Sequence, residues 1–201
     1  MNNFKINILL SIIGIATLSG CSTTHSNKRT PAFNNGTKTD YSCDYKQPQS
    51  KSGSFYKTDG PLELPSNLDD ILNPIPILEP FNKGNSKPYY VLGQSFTPIS
   101  NNSSYKETGL ATWYGRRYHG QKTANGETYD MFKMTAASPI LPIPSYATVK
   151  NLRNGRSVIV RINDRGPFLK SRIIDLSFLA ACRLGYATQG MTDVEVTRIF
   201  P

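Results

Sequence analysis

VIVRINDRGPF, Val158 to Phe168, begins as a buried strand and ends as a turn. Val158, Val160 and Ile162 alternate, so they share one face of an extended segment, and the Gly166-Pro167 pair stops it. Asp164 keeps the parity of the three aliphatics, whereas Arg161 and Arg165 take the other. The strand therefore delivers a carboxyl on its inward side, at the rim of whatever it helps to build. Two readings stand for that acid. A partly desolvated carboxyl binds its proton more tightly and can serve as a general acid, more so beside a second carboxylate. Alternatively, Asn163 or Asp164 forms an Asx-turn that ties down the bend.

Working outward, strand-like runs recur from Tyr105 to Pro201: GLATWYG, YATVKNL, SVIVRIN and MTDVEVTRIF, separated by Gly, Pro and Asn turns. Many short strands with regular turns predict a small β-barrel or sandwich. Asn154-Gly155 lies between two of them and predicts a hairpin, since both residues tolerate positive φ. In IIDLSFLAACRLG, Asp175 or Ser177 can cap one short helix with Phe178, Leu179, Ala181 and Cys182 on its apolar face and Gly185 at its end. Asp193 and Glu195 alternate with valines and face water, Glu107 precedes the first strand, and Asp130 follows a turn. Those four acids read as structural, which leaves Glu127, Asp164 and Asp175.

The chain has 201 residues, 38% apolar and 18% charged, enough for one core plus unpacked sequence. Its formal charge of +9 selects no partner by itself. From Tyr105 onward 14 basic side chains face 7 acidic ones, so the excess rides on the folded unit. Residues 1–20 carry Lys5, an apolar stretch and Leu18-Ser19-Gly20 before Cys21, the layout of a secretory signal too short to span a bilayer. These residues resemble the lipobox of bacterial lipoproteins, which implies that Cys21 is lipidated, and Ser22 resembles an outer-membrane sorting signal. Export to the envelope leaves no nucleic acid to bind. Residues 21–104, rich in Ser, Asn, Lys, Pro and Gly, predict a mostly disordered tether, with one or two short strands near 88–100 that can pack on the domain edge. Residues 105–201 form the domain. No bridge is expected between Cys43, set in polar sequence, and Cys182, which reads as a small core side chain.

No metal site is expected, because His25 and His119 are the only histidines and the cysteines lack ligand spacing. No cofactor is implied. Carboxylates and aromatics remain, the usual equipment of carbohydrate sites. Trp113, Tyr114 and Tyr118 are candidates to stack on sugar faces, with His119 and Arg165 as further binding residues and Arg116, Arg117 and Lys122 to attract an acidic glycan. For Trp113, core and platform are both open.

Three segments carry a family resemblance: GLATWYGRRYHGQKTANGETYDMFKMTAAS, LPIPSYATVKNLRNGRSVIVRINDRGPF and RIIDLSFLAACRLGY. They resemble the septal-ring lytic transglycosylases of the rare lipoprotein A family, and PYYVLGQSFTPIS is similar to the family's upstream segment. The resemblance implies a six-stranded double-psi β-barrel with one or two short helices, related to expansins. It also implies an outer-membrane lipoprotein facing the periplasm that cleaves the β-1,4 bond of peptidoglycan glycan between N-acetylmuramic acid and N-acetylglucosamine, with division-site proteins as candidate partners. By position the family's catalytic set falls on Glu127, Asp164 and the residue after TAA, which is Ser138 here where the family has histidine. Asp175 matches a carboxylate used by expansins and is held in reserve. A hydroxyl cannot accept and return a proton near neutral pH as imidazole can. Either the carboxylates suffice, or His119 moves in, or the domain binds glycan without turnover as a wall-binding or division scaffold. The glycan-binding SPOR repeat that often follows this barrel is not expected, since the sequence ends just after its last strand.

Overall fold

The structure, a computed structural model, describes residues 41–46 and 59–201. Cys21 and the signal stretch lie outside the described residues. Among the latter, no helix is long and apolar enough to cross a membrane.

Eight strands and one helix follow in chain order: β1 Tyr89–Val91, β2 Gln94–Phe96, β3 Lys106–Tyr114, β4 Thr135–Ala137, β5 Ser145–Asn151, β6 Ser157–Asp164, β7 Arg172–Ser177, α1 Phe178–Arg183 and β8 Met191–Ile199. β1 and β2 form a hairpin, and the other six close into a barrel in the order β3-β7-β4-β6-β5-β8. β3 runs parallel to β7, and β4 parallel to β6; the remaining contacts are antiparallel. Closure leaves no strand edge, which is how a small all-β domain avoids open pairing sites. The alternation read in β6 sets its packing. Val158, Val160 and Ile162 are at most 1% exposed, each contributing about 1.5–3 kcal/mol by its burial. Asp193 and Glu195 stand on the outer side of β8, between buried Val194 and Val196.

Several details depart from expectation. Glu107 lies within β3 rather than before it. In the 152–156 turn only Gly155 takes positive φ, at 74°. The helix cap is Ser177, whose hydroxyl accepts from the Ala180 amide, while Asp175 belongs to β7.

The tether expected up to residue 104 does not describe residues 59–104, which lie against the barrel. The Asp59 carbonyl accepts from the Arg116 amide at 2.7 Å, and its carboxylate takes the amides of Gly115 and Arg117. A side chain at Gly115 would strike that carbonyl, since a Cβ there would sit 2.1 Å from it. Leu68 joins the main core. Ile99 and Asn82 donate amides to the carbonyls of Ile140 and Ile143. Tyr89 and Phe96 of the β1–β2 hairpin stack on each other and meet Phe168, just past the NDRGP turn, edge-on and tilted. Proline-broken sequence lacks a period, yet it docks through discrete anchors.

Cys43 and Cys182 are bonded, with Cα atoms 5.1 Å apart, which corrects the expectation of two separate thiols. Polar composition hid the cause. Tyr45 packs edge-on against Trp113 and Phe178 at 6.5 and 4.9 Å, and so lays residues 41–46 over α1, where Cys182 sits. The bridge closes a loop spanning 139 positions of sequence. Replacing both cysteines by serine is expected to cost about 2–5 kcal/mol of stability, read as a lower denaturant midpoint for C43S/C182S than for the oxidised protein; equal midpoints would refute a stabilising bridge.

Candidate active site at the end of strand β6

The ladder between β4 and β6 slips at its last step: Ala136 faces Ile162, but Ala137 faces Asp164, so Asn163 is an extra residue. Such a bulge re-aims side chains at a strand end. Three backbone groups then fix the neighbourhood. The Asn163 carbonyl accepts from the Asn125 amide and the Asp164 carbonyl from the Ser138 amide, at 3.2 and 3.1 Å, while the Asp164 side chain accepts from the Ala124 amide at 2.8 Å. The TANGE loop and the turn after β4 are thereby drawn to one end of the barrel.

Asp164 is half-buried. Both its hydrogen bonds, from the amides of Ala124 and Arg165, fall on Oδ1. Burial raises its pKa, against the opposing pull of those amides and of the Arg165 charge. Both readings of this acid hold at once: it ties the bend through Arg165 N and keeps a desolvated carboxyl. Asp175, on β7 across the short strand β4, is raised too, first by burial and further by the charge of Asp164, while Arg172 and the Thr112 hydroxyl oppose. Thr112 donates to Asp175 Oδ1, and Arg172 stands 3.7 Å from Oδ2.

Glu127 is different. Asn125 and Arg161 donate to its Oε1, and Arg161 and Asn163 to its Oε2, all at 2.7–2.9 Å. Burial pushes its carboxyl up, but the hydrogen bonds from Asn163, Arg161 and Asn125 outweigh it and hold the group below the ordinary glutamate value. It is a fixed anion rather than a proton carrier. Arg161 is shared: its Nε and NH2 also donate to Glu79 at 2.8 and 2.7 Å. Neither Glu79 nor Arg161 was singled out by the sequence. Arg161 had the signal of a cation on the outward parity of an apolar strand, whereas nothing local marks Glu79.

A groove of about 540 Å³ opens here, lined by Ile71, Leu72 and Pro74 together with Glu127, Arg161 and Asn163. Asn163, one of its lining residues, directly precedes Asp164.

The other expected site residues sort themselves by burial. Trp113 is core: it is 2% exposed, and its indole donates to the Ala187 carbonyl. Tyr114 is buried and stacked on Tyr129 at 4.1 Å. Tyr118 is exposed and meets the Tyr114 ring edge-on. His119 accepts from the Met131 amide through Nδ1, which lies 3.7 Å from the Asp130 carboxylate. Arg165 is no ligand-facing cation, because its guanidinium donates to the carbonyls of Ser138, Leu141 and Asn85. Ser138 is fully buried and its Oγ accepts from the amides of Ile140 and Leu141, so it shapes the turn rather than carrying protons. Among the described residues no group of three or more His, Cys, Asp or Glu is placed to hold a metal ion.

Residues 106–196 match the family model described as Lytic transglycolase. The match takes in the barrel from β3 into β8. Its fold is the double-psi β-barrel, mainly β with one short helix. The chain is also similar to three proteins that are each named endolytic peptidoglycan transglycosylase RlpA. That of Pseudomonas aeruginosa strain UCBPP-PA14 is 56% identical over 58% of this chain and 34% of its own length. That of Vibrio cholerae is 46% identical over 67% and 51%, and that of Neisseria meningitidis serogroup A is 51% identical over 58% and 48%. The chain thus spans about a third to a half of the length of these relatives.

Two outcomes follow from the site's geometry. S138A leaves the buried Leu141 amide without its acceptor and should lower stability by about 1–3 kcal/mol in a denaturant titration. Because folding raises the Asp164 pKa, the folded protein retains a proton that the unfolded chain has lost. Stability from this carboxyl is therefore full below the unfolded value of about 3.9 and declines as pH rises through the folded one. D164N should accordingly be more stable than the parent at pH 7, with the difference vanishing toward pH 3; a D164N protein less stable at pH 7 would contradict a desolvated acid.

Proposed function

We propose that this chain is an endolytic lytic transglycosylase of peptidoglycan, cutting the β-1,4 bond between N-acetylmuramic acid and N-acetylglucosamine. The reading is carried by the Asp164 carboxyl: raised in proton affinity by burial, bonded through one oxygen only, and next in sequence to Asn163, which lines a groove. Protonated Asp164 gives its proton to the glycosidic oxygen as the C1–O bond breaks. The resulting carboxylate takes the proton of the muramyl C6 hydroxyl, whose oxygen closes on C1 to leave a 1,6-anhydro end. The acid is restored and no water is consumed. Asp175 helps to keep that proton in place, since two neighbouring carboxyls resist joint ionisation. Glu127 presents a permanent negative charge toward the cationic transition state, and exposed Tyr118 is the aromatic available to a sugar ring. The names of the relatives support this activity.

In the same reading, Cys21 carries the lipid and places the domain in the cell envelope, at the outer membrane facing the periplasm. Division-site proteins are its candidate partners. A second reading, a wall-binding or division-scaffold protein without turnover, is favoured by one observation: buried Ser138 supplies no proton relay beside Asp164.

Mass spectrometry of peptide-free glycan strands incubated with the protein separates the two. Anhydro-muramyl ends should form and fall by about 10²–10⁴ in D164N, with the rate declining as pH rises and Asp164 loses its proton. Retention of glycan with no anhydro product would establish the binding role instead.

A further inference from the structure

We propose that the proline-rich strap from Ile71 to Glu79 is a wall of the glycan groove, and that Glu79 is the positioning residue that holds it there by anchoring Arg161. This rests on the peptidoglycan reading above and names the part of the chain that completes its groove.

The strap lies outside residues 106–196, the stretch that defines the family domain. Its near end is apolar: Ile71 packs against the core cluster, and Leu72 is 48% exposed while lining the same groove as Glu127. Its far end is ionic. Glu79 meets Arg161 through two parallel hydrogen bonds, and the Tyr146 hydroxyl adds a third at 2.6 Å. Forked guanidinium–carboxylate contacts fix both partners in direction as well as distance. Arg161 and Glu79 are only 19% and 21% exposed, so the pair sits where solvent screens it weakly. The remaining nitrogen of the same guanidinium holds both oxygens of Glu127. One arginine thus spans the strap and the groove, and removing Glu79 frees the strap while Arg161 NH1 keeps its two hydrogen bonds to Glu127. From the near end, the apolar side chains of Ile71, Leu72 and Pro74 offer the surface that the faces and acetamido methyls of N-acetylated sugars prefer.

The test uses the full chain, with E79Q and L72A compared with the parent on peptide-free glycan. E79Q should raise KM about tenfold while kcat stays within about twofold, because a wall contributes to binding in ground and transition states alike. It should also remove the slowly exchanging Nε–H resonance of Arg161 in a ¹⁵N spectrum. L72A, a change at a half-exposed site that leaves the ion pair alone, should keep that resonance and raise KM about 3- to 10-fold through lost apolar contact. Parent-like KM in both variants overturns the proposal, as does a fall in kcat at unchanged KM. If the parent binds glycan but forms no anhydro product, the catalytic reading fails, and the dissociation constants of the three proteins decide the wall by the same criteria. If the parent does not bind glycan, both readings fall.

Discussion

A backbone inside a closed barrel must have its amides and carbonyls paired on both sides, and β6 meets that demand with β5 on one flank and β4 on the other. β4 is only three residues long and ends at Ala137. Beyond it, the carbonyls of Asn163 and Asp164 need new donors, and Asn125 and Ser138 supply them. The TANGE loop and the turn after β4 are brought to the same strand end by that need alone. Everything with chemical potential in the domain is assembled there as a consequence of finishing one strand.

The assembly then sorts its carboxyls by environment. Glu127 is wrapped by Arg161 and two asparagine amides and stays ionised, while for Asp164 and Asp175 burial dominates, and the charge of Asp164 raises Asp175 further. Pushing acids apart in proton affinity is how a single site obtains both a proton donor and a standing charge. The separation here runs along the bulge at Asn163, whose side chain serves Glu127 while the next residue is the acid.

The barrel was legible because its signal is periodic. Alternation in β6 and β8, the turn at Gly155 and the short helix after β7 all survive in the structure, and Asp164 was found by parity carried one step past the last aliphatic. What was not legible depends on partners remote in sequence. Tyr45 and Cys43 look like any residues of a polar segment until they meet α1 across more than a hundred positions. Glu79 looks like a loop acid until Arg161 is known to face it. Trp113 could not be assigned between core and surface from its own strand, because Tyr45 and Phe178, which bury it, come from either side in the chain. Ser138 was read as a chemical residue from its place in a motif, whereas its burial makes it a turn residue.

The Cys43–Cys182 bond also defines a mechanical route. A pull applied at the N-terminal end reaches the covalent junction at residue 43 first and passes straight into α1, bypassing the stretch from 59 to 104 that clings to the barrel by separate hydrogen bonds and one ion pair. Force is thus borne by a rigid element and a disulfide rather than by contacts that could peel one at a time. The strap and the groove it borders are left outside the line of tension.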